Sequence, residues 1–129
     1  MNIIDHLSLG VPDIEEACKF YDGLFETLGC KRLATMETLA AYGNEAVQFV
    51  LIKPFDGQEH SAGNGTHICF VAESPAAVDA FHKFATENGG TCEGAPGPRP
   101  GYPLPDVYTA FVRDPHGHKL EAIHKGFAS

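Results

Sequence analysis

Apolar positions along the chain change period several times, and each change marks an element. His6-Leu-Ser-Leu-Gly-Val reads as a short strand that Pro12-Asp13 stops. Asp13-x-x-Glu16 forms a capping box ahead of Ala17, Phe20, Tyr21, Leu24 and Leu28, which recur at three- and four-residue intervals. That spacing lines one face of a helix, and Gly29 ends it. Strand-like runs follow over Arg32 to Met36, Thr38 to Tyr42 and Ala46 to Ile52, the last two joined by a turn at Gly43-Asn44.

A loop rich in Gly, Ser and Asn over 54–64 comes next, and then the pattern restarts. His67-Ile-Cys-Phe-Val-Ala predicts a strand, Ser74 an N-cap, and Pro75 the first helical position. Val78, Phe81, Phe84 and Ala85 form an apolar stripe closed by Gly89-Gly90. An offset of 61 positions lays His6 on His67, Asp13 on Ser74, Phe20 on Phe81 and Gly29 on Gly90. Shared punctuation in one register predicts a structural repeat. A short strand near Thr91 and strands over Val107 to Arg113 and His118 to His124 complete the second half, the last two joined at Asp114-Pro115-His116-Gly117. The plan is β-α-β-β-β twice, over about 1–53 and 65–125, within one domain of 129 residues. Neither half carries enough apolar surface to stand alone, so two mixed sheets are expected to share an interior where ligands bind.

Composition narrows the class. Hydrophobic residues at 43% and charged ones at 20% describe a globular chain, and no apolar run is long enough to span a bilayer. Nine Lys and Arg against seventeen Asp and Glu give a net charge of −8, which argues against nucleic acid or an anionic membrane as partner. Cys18, Cys30, Cys69 and Cys92 are scattered without a C-x-x-C pair, and the start has no signal-peptide pattern. A cytoplasmic protein with reduced thiols is the expectation.

Seven histidines are the better lead. Strand alternation puts His6 on a face with Ser8, His67 with Cys69, and Glu121 with Lys119 and Ile123. A carboxylate within an otherwise apolar strand needs a partner. A divalent cation held by His6, His67 and Glu121 would supply one, and two imidazoles with one carboxylate suit Fe, Mn, Ni, Co or Zn. The plain alternative has His6 capped by a backbone carbonyl, His67 solvated at a strand start and Glu121 on a wet sheet face. His116 and His118 flank a turn and read as solvated, His124 points to the other face, and Cys69 reads as packing.

Three segments in the same order carry a family resemblance: Asp5 to Asp13, Gly65 to Val71 and Phe111 to Glu121. The chain resembles the vicinal oxygen chelate superfamily, which includes glyoxalase I, extradiol dioxygenases, fosfomycin-resistance thiol transferases and bleomycin-resistance proteins. The resemblance implies an α+β fold of paired βαβββ modules forming a cupped mixed sheet, a metal on His6, His67 and Glu121, and a homodimer. No subfamily fits throughout. Glyoxalase I takes a further Glu ligand from the fourth strand, where this chain aligns Phe49, with Gln48 on the opposite face unless a bulge shifts it. Phe49 therefore argues against lactoylglutathione isomerisation by that route, and with Ser8 it is expected to face the substrate. Extradiol dioxygenases carry a Tyr where Phe111 stands and an upstream His that 98–104 lacks. Fosfomycin-type transferases share the turn of Asp114 to Ala122 and a hydroxyl residue at Ser8, but their potassium-binding loop is replaced by the Pro- and Gly-rich run of Gly94 to Pro105.

That run leads into Tyr108. If it frames the mouth of the site, Arg99 meets an anionic group and Tyr102 and Tyr108 supply hydrogen bonds or stacking. If it only crosses the surface, Tyr102 packs on it. Two classes of function follow. One is a metal-dependent enzyme, a glyoxalase-like lyase or isomerase acting on a small oxygen-chelating substrate. Glu121, a metal-bound hydroxide or Tyr108 would move the proton. The other is a binding module of the bleomycin-resistance type that sequesters a ligand without metal. The His-His-Glu set favours the enzyme.

Overall fold

The computed structural model describes residues 3–128. The chain divides into two compact units, one ending at Ala62 and the other beginning at Gly63.

The first unit runs β1 (Leu7–Gly10), α1 (Ile14–Glu26), β2 (Lys31–Met36), β3 (Leu39–Gly43) and β4 (Val47–Ile52). Its four-stranded sheet has the order β1-β4-β3-β2, with β1 parallel to β4 and the other pairs antiparallel. Asp13 caps α1, its Oδ1 accepting from the Glu16 amide at 2.9 Å. The reciprocal half of the expected capping box is missing, because the Glu16 carboxylate takes Lys19 at 2.9 Å instead. The apolar face of α1 packs on β2, β3 and β4. Tyr21, Phe25, Tyr42 and Phe49 form its aromatic core, with neighbouring ring centroids 4.9–6.5 Å apart.

The second unit repeats this plan as β5 (His67–Val71), α2 (Pro75–Glu87), β6 (Thr91–Pro98), β7 (Tyr108–Arg113) and β8 (Lys119–His124). Its sheet order is β5-β8-β7-β6, again with one parallel pair, β5 and β8. Ile68, Val112, Leu120 and Ala122 are buried on the helix side with Val78, Phe81 and Ala85 of α2. Ser74 Oγ caps α2 by accepting from the Ala77 amide at 3.1 Å. Both helices have 13 residues and keep the 61-position offset, as the shared punctuation predicts. The left-handed residues behind them break it by one position: they are Gly29 (φ 75°) and Gly89 (φ 98°), not Gly29 and Gly90.

Two readings change. The strand near Thr91 runs to Pro98, into the segment expected to be irregular, with register shifts at Gly94 and Gly97. An edge strand bonded on one side tolerates prolines that a central strand could not. His118, expected to be solvated, is buried, its amide donating to Asp114 Oδ1 at 2.8 Å within the turn between β7 and β8. Among the described residues no helix is long and apolar enough to cross a membrane.

Candidate functional site

In the second unit's sheet, His67 lies opposite Lys119, Cys69 opposite Glu121, and Phe111 opposite Glu121 across the other strand. Alternation therefore sends His67, Cys69, Thr109, Phe111, Lys119 and Glu121 to the face away from α2. Glu121 is at the centre of this group and only 2% exposed. Its Oε1 lies 2.8 Å from His67 Nε2, and its Oε2 accepts from Thr109 Oγ1 at 2.6 Å and from Tyr102 Oη at 2.7 Å. Burial pushes the carboxyl upward, but the hydrogen bonds from Thr109, His67, Tyr102 and Cys69 outweigh it and hold Glu121 below the usual carboxylate range. The wet sheet face of the plain alternative is thus corrected: this carboxylate is buried, ionised and surrounded by donors. Its charge has the reverse effect on its neighbours. The Cys69 thiol and the Tyr102 phenol, each pushed up first by burial and then by Glu121, stay protonated at neutral pH.

An ionised carboxylate can only accept, so the proton of the His67–Glu121 contact sits on Nε2. His67 keeps 41% of its side chain exposed. Two ligand atoms on one first-row metal, with bonds of about 2.1 Å near right angles, stand about 3 Å apart. The 2.8 Å between Nε2 and Oε1 fits two adjacent ligands once that proton is given up.

In the first unit, His6 precedes β1 and is half exposed. Its Nδ1 lies 2.6 Å from Asp5 Oδ1, in place of the backbone carbonyl of the plain alternative. That hydrogen bond fixes the proton on Nδ1 and leaves Nε2 with a lone pair, the arrangement by which carboxylates orient metal-binding imidazoles. Ser8 is exposed on β1 opposite Val50. Within neither unit do three His, Cys, Asp or Glu side chains among the described residues gather as a metal-ligand set.

Three other candidates are placed differently from the sequence reading. Phe49 is not on a substrate-facing surface; it is 3% exposed and stacked in the α1 core. A register shift between Tyr42 and Gly43 makes Gln48 the bulged residue. Ser8 pairs with Val50 as Cys69 pairs with Glu121, so the counterpart of Glu121 in the first unit is Val50. A second carboxylate, which would be the fourth ligand, is still lacking, but at Val50 and not at Phe49. Tyr108 is turned away from Glu121: it is on the α2 side, its hydroxyl donating to Asp79 Oδ1 at 2.6 Å, so it cannot serve as the proton shuttle. Arg99 folds back on its own loop, donating to the carbonyls of Ala95, Gly97 and Pro98 at 2.7–3.2 Å. Its guanidinium lies 5.9 Å from the Phe111 centroid. The loop it clamps brings Tyr102 to Glu121. Thr109 was missed, although β7 alternation through the 114–117 turn puts it on the Glu121 face.

The chain belongs to the Glyoxalase/Bleomycin resistance protein/Dioxygenase superfamily, whose family model matches residues 3–122. Its two α+β units, each a helix on a four-stranded mixed sheet, have that family's fold. Among solved structures, it is 38% identical to a glyoxalase/bleomycin resistance protein from Albidiferax ferrireducens T118, with 97% of this chain and 100% of that one covered and a TM-score of 0.86. The fosfomycin resistance protein FosX from Mesorhizobium loti shares the fold at 15% identity, with 99% and 96% covered and a TM-score of 0.70. Lactoylglutathione lyase from Agrobacterium tumefaciens shares it at 20% identity, with 95% and 94% covered and a TM-score of 0.65. No curated protein matches.

Proposed function

We propose that this protein is a divalent-metal-dependent enzyme of the superfamily, a lyase or isomerase acting on a small substrate that presents two oxygens. The observation that carries this reading is the buried, ionised Glu121 with Nε2 of the partly exposed His67 at 2.8 Å, on the sheet face away from α2. A structural carboxylate gains nothing from being buried there among four donors, whereas a metal ligand must be ionised and held in place. His67, Glu121 and His6 Nε2 are the donors assigned to that metal in this reading. The bound metal would supply Lewis-acid polarisation of the substrate oxygens.

The chain's own groups divide the remaining work. Thr109 Oγ1 fixes Glu121 Oε2, so Oε1 is the oxygen directed at His67. The Tyr102 phenol, kept protonated, is the group positioned to give a hydrogen bond to a developing oxyanion, its hydroxyl turning from Oε2. Tyr108, bonded to Asp79, has no part in this scheme.

Elemental analysis of the purified protein beside Glu121→Ala tests the proposal. About one divalent first-row metal per chain, lost in the variant, is expected. If the wild type takes up no metal even from excess, the reading falls and a ligand-binding module of the bleomycin-resistance type replaces it.

A further inference from the structure

We infer that the hollow beside His67 is an anion subsite that holds the carboxylate of a small organic acid on Lys119. The inference deepens the proposed function and rests on it only in taking the His67–Glu121 face as the one substrate approaches. The hollow has a volume of about 320 Å³ and is lined by His67, Phe111, Arg113 and Lys119, with Asn64 and Thr66 among its polar groups.

Its two cations are not equivalent. Arg113 is committed, its Nε donating to Glu93 Oε1 at 2.7 Å and its Nη1 to the Gly117 carbonyl at 2.9 Å. Lys119 Nζ has no hydrogen bond or ion pair among the described residues. It stands 5.5 Å from the centroid of the Phe111 ring, close enough for the ring to hold the ammonium in place. Glu93 feels the Lys119 charge, but its carboxylate is already bonded to Arg113. One uncommitted positive charge therefore faces the hollow, in a chain whose net charge is −8.

That balance selects the ligand class. A carboxylate brings one negative charge to one ammonium, a match in charge and in hydrogen bonding. A phosphate dianion would bring two charges against one, with Glu121 ionised two residues along the strand. The Phe111 ring adds an apolar surface for a flat organic body. Because Lys119 pairs directly with His67 in the strand register, a carboxylate held there keeps the rest of a small molecule next to the His67–Glu121 pair.

The test is an amide NMR titration of the chelator-treated full chain with benzoate, its uncharged analogue benzamide, and inorganic phosphate. Benzoate is expected to move the amides of Gly65, Thr66, His67 and Lys119, and to bind at least about five-fold more tightly than benzamide. In Lys119→Met, which keeps the apolar stem, benzoate should bind at least about five-fold more weakly, with the remaining spectrum unchanged. Equal binding of benzoate and benzamide, no response to benzoate, or unaltered binding in the variant overturns the inference. Tighter binding of phosphate at the same amides overturns the choice of carboxylate. No metal or turnover enters the measurement. Benzoate selectivity in a protein that takes up no metal would therefore leave the subsite standing and remove only the enzyme reading.

Discussion

Thr109 Oγ1 lies 2.6 Å from Glu121 Oε2, and both residues are buried on neighbouring strands. The same hydroxyl is 2.7 Å from the Ala122 carbonyl, but it has one proton to give, and the charged acceptor is the stronger. Replacing Thr109 by Val keeps the shape and removes the donor, leaving a buried charge short of one bond. We expect a loss of about 1.5–3 kcal/mol in urea unfolding at neutral pH, the usual value of a hydrogen bond to a charged group. A loss below about 0.5 kcal/mol, the level of an ordinary surface change, would show that Thr109 serves only the backbone.

The depressed Glu121 carboxyl also sets a pH dependence. A folded-state value below the unfolded one, about 4.3, means the unfolded chain binds more protons, so stability rises with pH across that window. The contribution is complete above the unfolded value and disappears as the pH falls through the folded one. In Glu121→Gln it is missing throughout. The stability gap between wild type and this variant, measured without metal, should thus be widest near neutrality and shrink below about pH 4. A gap that stays constant with pH would mean Glu121 is not held ionised by its neighbours.

Phe49 separates a packing role from a substrate-facing one. It is in ring contact with Tyr21, Phe25 and Tyr42, so Phe49→Ala opens a core cavity and should cost about 3–5 kcal/mol. Ser8→Ala, at an exposed position of the adjacent strand, should stay within about 0.5 kcal/mol. Calorimetric unfolding of the two variants decides the matter. A fully stable Phe49→Ala would return Phe49 to an accessible surface.

What the sequence made legible follows from periodicity and punctuation. Both helices, their caps at Asp13 and Ser74, and the 61-position offset depend on local residues, and they were readable. That His67 and Glu121 share one face of the sheet was also readable, since both lie on alternating strands. Phe49 belongs to the core because the β1–β4 register puts Val50, not Phe49, opposite Ser8, and that register is set by pairing between distant segments that no local motif announces. Tyr108 was misassigned although alternation against Glu121 across the hairpin would have placed it on the other face. Thr109 stayed hidden because a buried threonine in a strand looks like any β-branched packing residue. Arg99 was read as a ligand group because its three carbonyl partners depend on how the loop turns back on itself.

His6 and His67 should respond differently to metal because their protons sit on different nitrogens. The His6 Nδ1 proton is engaged by Asp5, so Nε2 already offers a lone pair, whereas His67 Nε2 is protonated toward Glu121 and must give that proton up. Nickel or zinc added to chelator-treated protein should therefore change the His67 ring nitrogens from one tautomer to the other in nitrogen NMR and leave those of His6 in theirs. Binding to the folded state alone should raise stability by about 2.7 kcal/mol at a hundred times Kd. His67→Gln and Glu121→Gln should abolish that gain. Asp5→Asn, which loosens the orientation of His6 and leaves both donors of the second unit intact, should weaken binding by about 10–100-fold. Unchanged metal affinity in both Asp5→Asn and His6→Gln would remove His6 from the proposed ligands and leave the metal on His67 and Glu121 alone.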